Sequence, residues 1–532
     1  MSRQPLHKNL VRGMVFSAFA FLAPGITLAY PVDSPLTALV EAQEPGTWMR
    51  VNENQFQNVW TPTAQRSTPG AGSPRYVISA WSGGAYDSNT GDFYVWGGDN
   101  GTYSGNEVYR WTASTLNWER LSLPSAITST TTTAGKTHWH TIDGTDHSPI
   151  SGETFDNVVY LPGLKRLAIM AGNAYPGGGK QYMREDGVTR AGPFFFDPAK
   201  ADPNKVGGLT GSHANPAQFP NVTGGNMWEN RQTIQTSAGI VGPRFTEGGV
   251  SAATMIDGKD VVFVAEQGKG GYGRLFKYTV NSENAAEDEW ELVGIMGKKT
   301  YSGSGVGAYD STRNMFLRTA KTSHTVYDDA SGTYVKKALT SFMFWDLNNA
   351  GTTNPLIFIP PDSILGDELV LTSKHGMDYD PITDAYYLWS GTNELWKLIP
   401  PEGISSLGWS IERIFPEALG PTLAGAKFTG VYGKWNYMDG LGAFMGVAHD
   451  VTGDVWIYKP AAQDYLIDDD SIATLFAGKP LDDYLTKAVF DDQRLHRSVS
   501  EPGSLALLAL ALTALWNFGR TNRQAGGRAS PL

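Results

Sequence analysis

The chain of 532 residues contains no cysteine, which removes disulfide staples and every thiolate-bound metal site. Charge is scarce too. Asp, Glu, Lys and Arg make up 18%, alongside 61 Gly, 16 Trp, 23 Tyr and 23 Phe, a turn-rich, aromatic-rich β composition rather than a helical or disordered one. Positive charge is the scarcer sign. The formal net charge is −11, and the basic residues Arg3, Lys8, Arg12, Arg520, Arg523 and Arg528 cluster at the two ends, so the portion between them is more acidic still. Such a surface repels phosphate backbones, and nucleic acid is not an expected partner. Long apolar runs are missing as well: residues 14–23 and 504–518 both fall short of the ~20 residues of a membrane-spanning helix. No Gly-rich nucleotide loop follows a strand and opens a helix, and no Gly-x-Ser-x-Gly elbow stands at a strand-to-helix turn.

What the chain has is a repeated phrase: a small or glycine-containing step, an aromatic, an Asp, a short polar turn, then apolar and aromatic residues. It reads Gly84-Ala85-Tyr86-Asp87 before Phe93-Tyr94-Val95-Trp96, Gly307-Ala308-Tyr309-Asp310 before Met315-Phe316-Leu317, and Asp378-Tyr379-Asp380-Pro381 before Tyr386-Tyr387-Leu388-Trp389. Each instance predicts a strand, a hairpin turn and a second strand. Weaker copies are Thr154-Phe155-Asp156 with 160–172, Met255-Ile256-Asp257-Gly258 with 261–265, and Tyr437-Met438-Asp439-Gly440 with 444–447. Six copies built only from short strands predict an all-β chain, a six-bladed β-propeller of antiparallel sheets. The longest step crosses the second unit, where Pro, Gly and Asn clusters lie between 173 and 249. Long loops on a rigid scaffold are where binding concentrates, and a span of this length also leaves room for a seventh blade.

A second recurring element is an aromatic strand followed by a Trp-led one. Val108-Tyr109-Arg110-Trp111 leads to Trp118-Glu119-Arg120-Leu121, Leu275-Phe276-Lys277-Tyr278 to Trp290-Glu291-Leu292-Val293, and Leu395-Trp396-Lys397-Leu398 to Trp409-Ser410-Ile411-Glu412. The last unit ends on Val455-Trp456-Ile457-Tyr458-Lys459 with no such successor, while an orphan Trp48-Met49-Arg50-Val51 stands near the start. The orphan is expected to pair with the final blade and so remove the exposed edges of an open array. The doublet Gly97-Gly98 after the second strand, with Tyr109 and Trp118 following, resembles the kelch repeat, whose marks are a glycine doublet and a spaced Tyr and Trp. The first unit carries that pattern in full; the others keep the aromatic strand and lose the doublet.

The ends read as addresses. A basic start, the short apolar stretch and Thr27-Leu28-Ala29 make residues 1–29 a secretory signal peptide. At the other end, Ser500-Glu501-Pro502-Gly503, an apolar segment and the arginines resemble the PEP-CTERM sorting tail of Gram-negative bacteria, with Ser500 where the first proline belongs. That resemblance implies export, a transient stay in the inner membrane through the C-terminal hydrophobic helix, cutting by an exosortase-type processing enzyme, and release to the cell surface or extracellular matrix. A retained membrane anchor is the competing reading. The expected organisation is therefore signal peptide 1–29, propeller 30–460, a stalk or short helical segment 461–499 whose Asp468-Asp469-Asp470-Ser471 run reads as a helix cap, with a calcium loop as the alternative, and sorting tail 500–532.

Propeller ligands gather where inner strands approach the axis, so residues shortly before each aligned Asp are site candidates. Trp81, Arg244, Tyr301 and Trp435 are the ligand-binding set, rings to stack on sugars and a cation to orient them. Glu153, Glu247 and His375 are the weak catalytic candidates; two carboxylates would suit glycoside hydrolysis or proton abstraction, depending on a separation that only the fold can set. The alternative for each is packing between blades. Thr137-His138-Trp139-His140 puts two imidazoles on one face of a strand, with His147 as a third ligand for a divalent metal; solvated side chains in a Ser/Thr-rich loop are the alternative reading. No cofactor is firmly implied. The kelch-type copper radical oxidases need a tyrosine crosslinked to cysteine, absent here, and no sialidase-type Asp box occurs. The functional expectation is an exported surface or matrix protein that binds a glycan, such as an exopolysaccharide, or a protein partner. The alternative is a polysaccharide-active enzyme, a hydrolase, lyase or metal-dependent oxidase, at the channel mouth, with binding favoured over catalysis.

Overall fold

The computed structural model describes residues 34–461 except 67–71, 99–100, 132–134, 136, 176–181, 183, 187–189, 212, 233–248, 267–272, 296–304, 329–331, 350–355, 359–374, 417–419 and 422–428. The expected signal peptide, stalk and sorting tail therefore lie outside the described residues.

Six four-stranded antiparallel sheets stand around one axis. Their innermost strands are Gly83–Tyr86, Val158–Leu161, Val250–Ile256, Gly307–Asp310, Gly376–Asp380 and Trp435–Met438, each beside the next in cyclic order, with the last beside the first. The fold is a six-bladed β-propeller. The long span after residue 173 contains the outer half of blade 2, strands Phe194–Phe196 and Trp228–Asn230, and no seventh four-stranded sheet occurs among the described residues.

The repeated phrase folds as its chemistry requires. In five blades the residue immediately before the second strand is left-handed: Lys165 (φ 57°), Gly258 (75°), Asn314 (51°), Asp384 (49°) and Gly442 (60°). A left-handed residue at this point lets a short loop reverse the chain and re-enter the ladder in register. The Asp that opens the turn folds it through its side chain. Asp87 Oδ1 accepts from the Asn89 N–H at 2.8 Å, Asp310 Oδ1 from Arg313 at 2.8 Å, and Asp380 Oδ1 from Ile382 at 2.8 Å. The aromatic of the phrase then ties blades together. Tyr160 of blade 2 hydrogen-bonds Asp87 in the turn of blade 1, Tyr379 donates to Thr312 Oγ1 of blade 4 at 2.7 Å, and Tyr437 of blade 6 bonds Asp380 of blade 5.

The ring closes where the orphan strand predicted. Thr47–Arg50 is the outer strand of blade 6, with Trp48 opposite Tyr458 and Arg50 opposite Trp456. Trp48 is buried, its ring 5.4 Å from Trp389 and 5.8 Å from Trp435, and its indole N–H donates to the Asn393 carbonyl at 3.1 Å. A helix absent from the sequence reading, Pro35–Ala42, precedes it, capped by Ser34. Lys459 Nζ donates to the carbonyls of Val40 (2.9 Å) and Gln43 (3.0 Å) at the helix end, which pins the first described segment to the last strand.

Candidate ligand site on the propeller axis

At the hairpin end of the axis the six inner strands enclose a cup of about 380 Å³. Its lining includes Tyr86, Tyr160, Tyr309, Tyr379 and Tyr437 from five blades, with Met255 from the sixth, the hydroxyls of Ser88, Ser251, Thr254 and Ser311, the amide of Asn436, and the carboxylates of Asp156, Asp378 and Asp439. Among the described residues no Lys, Arg or His lines it. Pockets of ~300–1,000 Å³ with apolar walls and a few polar groups are the usual small-ligand sites.

Asp156 is buried at the start of blade 2's inner strand. Its backbone carbonyl accepts from Ser251 in blade 3, and its Oδ2 accepts from the Gly307 N–H at 2.7 Å at the head of blade 4's inner strand. One residue thus joins the starts of three inner strands. Burial holds its carboxyl well above the usual range; the Gly307 N–H, Arg318 and Lys434 oppose the shift and Asp378 adds to it. Behind it, Arg318 and Lys434 are both fully buried. Arg318 donates to the Glu266 carbonyl at 2.8 Å and Lys434 Nζ donates to the Ser82 carbonyl. Desolvation lowers both cations, Arg318 to about 10 and Lys434 to about 7, with Asp156 pulling the other way. Asp378 accepts from the backbone N–H of Tyr379 at 2.8 Å and of Tyr437 at 2.7 Å, and is pushed up to about 7, first by removal from bulk water and further by Asp439 and Asp380. Asn436 Oδ1 is buried in the cup wall with no hydrogen-bond donor within reach among the described residues.

The opposite, leading end of the channel carries backbone strain. Trp81 (φ 55°), Phe155 (51°) and Tyr432 (50°), just ahead of the inner strands of blades 1, 2 and 6, are all left-handed. They are held in a chain: the Phe155 N–H donates to the Trp81 carbonyl at 2.7 Å, the Gly433 N–H to the Phe155 carbonyl at 3.4 Å, and the Trp81 N–H to Thr429 Oγ1 at 2.8 Å. Each such conformation costs on the order of 1–3 kcal/mol and persists only where neighbours enforce it.

The residues singled out from sequence distribute as follows. Trp81 and Glu153 fall at this leading end, Trp81 half-buried and Glu153 buried, within electrostatic reach of Tyr432 and accepting from Asn173 Nδ2 at 3.3 Å. His375 is buried beside the start of blade 5. Trp435 is 1% exposed, stacked on Phe444 at 4.9 Å with its indole N–H on the Tyr387 carbonyl, which is inter-blade packing. Arg244, Glu247 and Tyr301 lie outside the described residues. His138 and His140 share the hairpin strand Thr137–Thr141; His140 is buried, with Nδ1 2.9 Å from the Thr141 carbonyl and 4.0 Å from Glu185. His147 lies in the turn beyond. Among the described residues no three His, Asp or Glu side chains gather as a metal site. Sequence reasoning missed the cup's own groups, Asp156, Asp378 and Asn436, although two of them stand inside the repeated phrase. The usable signal was an extra Asp one residue before the aromatic in Asp378-Tyr379-Asp380.

No family model matches the chain, and no curated protein matches it significantly. Among solved structures it is similar to the Aleuria aurantia lectin in complex with α-methyl-L-fucoside: 9% identity, 72% of this chain and 97% of that one, TM-score 0.30. It is also similar to a subtype N11 neuraminidase-like protein of a flat-faced bat influenza A virus, at 9% identity, 79% and 95% coverage and TM-score 0.32. A third is a protein of unknown function from Dyadobacter fermentans, at 9%, 77%, 98% and 0.33. At these scores the likenesses carry no argument, and the propeller rests on the strand pairing above.

Proposed function

We propose that this chain is an exported, kelch-type propeller, sorted to the cell surface or extracellular matrix by its C-terminal tail, that binds a glycan in the axial cup. The observation that carries the binding half is the cup itself, into which all six blades converge tyrosines, hydroxyls, an amide and carboxylates. Saccharides present apolar ring faces and many hydroxyls, and this mixture of aromatic faces and oriented acceptors is their complement. The kelch reading is supported by the physical role of the glycine doublet. Gly97 has φ 105°, and a Cβ there would stand 2.6 Å from the Gly152 carbonyl oxygen, so the start of blade 2 approaches as closely as only glycine permits. Export and sorting are supported by the basic, apolar and small-residue order of the first 29 residues and by the Glu-Pro, apolar and arginine order of the last 33.

The test is a glycan array probed with the wild type and with Asn436→Leu. The Asn436 amide oxygen is buried in the cup wall with no internal donor among the described residues, so an apolar replacement changes the wall at little expense to the fold. Signals that vanish in the variant support the cup as the site; identical profiles move the site elsewhere, and an array with no signal defeats the glycan reading.

A further inference from the structure

The cup is lopsided in charge and in hydrogen-bonding sense. Blades 5 and 6 contribute Asp378, Asp439 and Asn436 Oδ1, all acceptors and two of them acidic, and among the described residues the lining holds no basic side chain and Asn436 Oδ1 has no donor. The two buried cations on the axis are already committed, Arg318 and Lys434 standing beside Asp156 with carbonyls as their hydrogen-bond acceptors. Asp378 and Asp439, whose mutual repulsion is felt at Asp378, are thus answered only by backbone N–H groups and by no basic side chain among the described lining residues. A ligand carrying its own carboxylate or phosphate meets like charge here, and a neutral sugar leaves that charge unanswered. A ligand that brings N–H donors and one positive charge answers both, and tyrosine faces in the same wall favour a cation further.

Resting on the glycan reading of this same cup, we propose that its ligand is a saccharide with a free amino group, a non-acetylated hexosamine unit, whose ammonium is held at the Asp378, Asp439 and Asn436 side. Binding then has a proton signature. Asp378 is pushed up to about 7 in the empty cup, so near neutral pH an arriving ammonium restores the carboxylate and expels a proton.

The experiment is titration calorimetry of the purified chain at about pH 6.5, in two buffers of different ionisation enthalpy, with three probes: a glucosamine oligosaccharide, its N-acetylated counterpart and a galacturonate oligosaccharide, with putrescine as an amine that is not a sugar. The glucosamine probe is expected to bind at least tenfold tighter than the other two sugars, with proton release, and Asp439→Asn to weaken it roughly tenfold. Asp439 is exposed at the rim, so this variant is expected to fold. Equal or tighter binding of the acetylated or acidic sugar, or an unchanged affinity in Asp439→Asn, overturns the amino-sugar inference and leaves the glycan reading standing. Putrescine binding as tightly as the amino sugar overturns the glycan reading while keeping the charge preference. No sugar or amine binding overturns both.

Discussion

The two ends of the axis are built on different principles. At the hairpin end the chain repeats itself: left-handed turn residues, turn-folding aspartates and tyrosine ties recur from blade to blade, and each is satisfied locally or by the next blade. The leading end uses another device. Among the described residues Trp81, Phe155 and Tyr432 hold left-handed strain ahead of the inner strands of blades 1, 2 and 6, and Asp156, Arg318 and Lys434 form a floor of buried ionisable groups. The hairpin end distributes its stability over many small terms, whereas the floor concentrates it in a few large ones. Evolution of a ligand preference is thus least constrained in the cup walls that line the regular end, where the Asn436 amide oxygen has no internal donor among the described residues.

That contrast can be broken by mutation. Asp156→Ala removes the acceptor of the buried Gly307 N–H and the carboxyl that opposes the desolvation of Arg318 and Lys434, so it is expected to cost about 1–3 kcal/mol in chemical denaturation. A loss under about 1 kcal/mol would show that the floor is not concentrated at all. A pH series sharpens the same point. Asp378 has a folded-state value of about 7 against an ordinary 3.8, so the folded protein binds the extra proton between these values. Its contribution is fully present below about pH 4 and is lost as pH rises through about 7, which makes the wild type lose stability relative to Asp378→Asn across that window. Urea midpoints that move in parallel for the two proteins would remove Asp378 from the account. The smallest effect belongs to the regular end: Tyr437→Phe deletes one hydroxyl tie to Asp380 and is expected to cost about 1 kcal/mol in thermal unfolding, with the ring intact.

Much of the scaffold was legible because it is written in short-range chemistry. Alternation, aromatic runs and Asp-containing turns need only a few neighbouring residues, and the orphan Trp48 strand followed from counting strands. The helix Pro35–Ala42 was not legible, since its short pattern stands among irregular segments and its end depends on Lys459, more than 400 residues away in sequence. The cup was not legible: none of the described residues singled out from sequence lines it. Choosing residues ahead of each aligned Asp led to Trp81 and Glu153 at one end of the channel, but Trp435 in the same frame is turned into the inter-blade packing. Side chains on a strand alternate between faces, so a shift of one position decides between core and channel.

By itself the sequence determined the six-fold repetition, the hairpins and the meeting of the two ends, because each follows from local periodicity and turn stereochemistry. Only the tertiary structure decided that Asp156 reaches Gly307, that Asp378 accepts from Tyr437, and that acceptors gather on one side of a cup without a base. Those meetings depend on how far apart the blades stand and how they are inclined around the axis, which is set by the packing of whole sheets and leaves no trace in neighbouring residues.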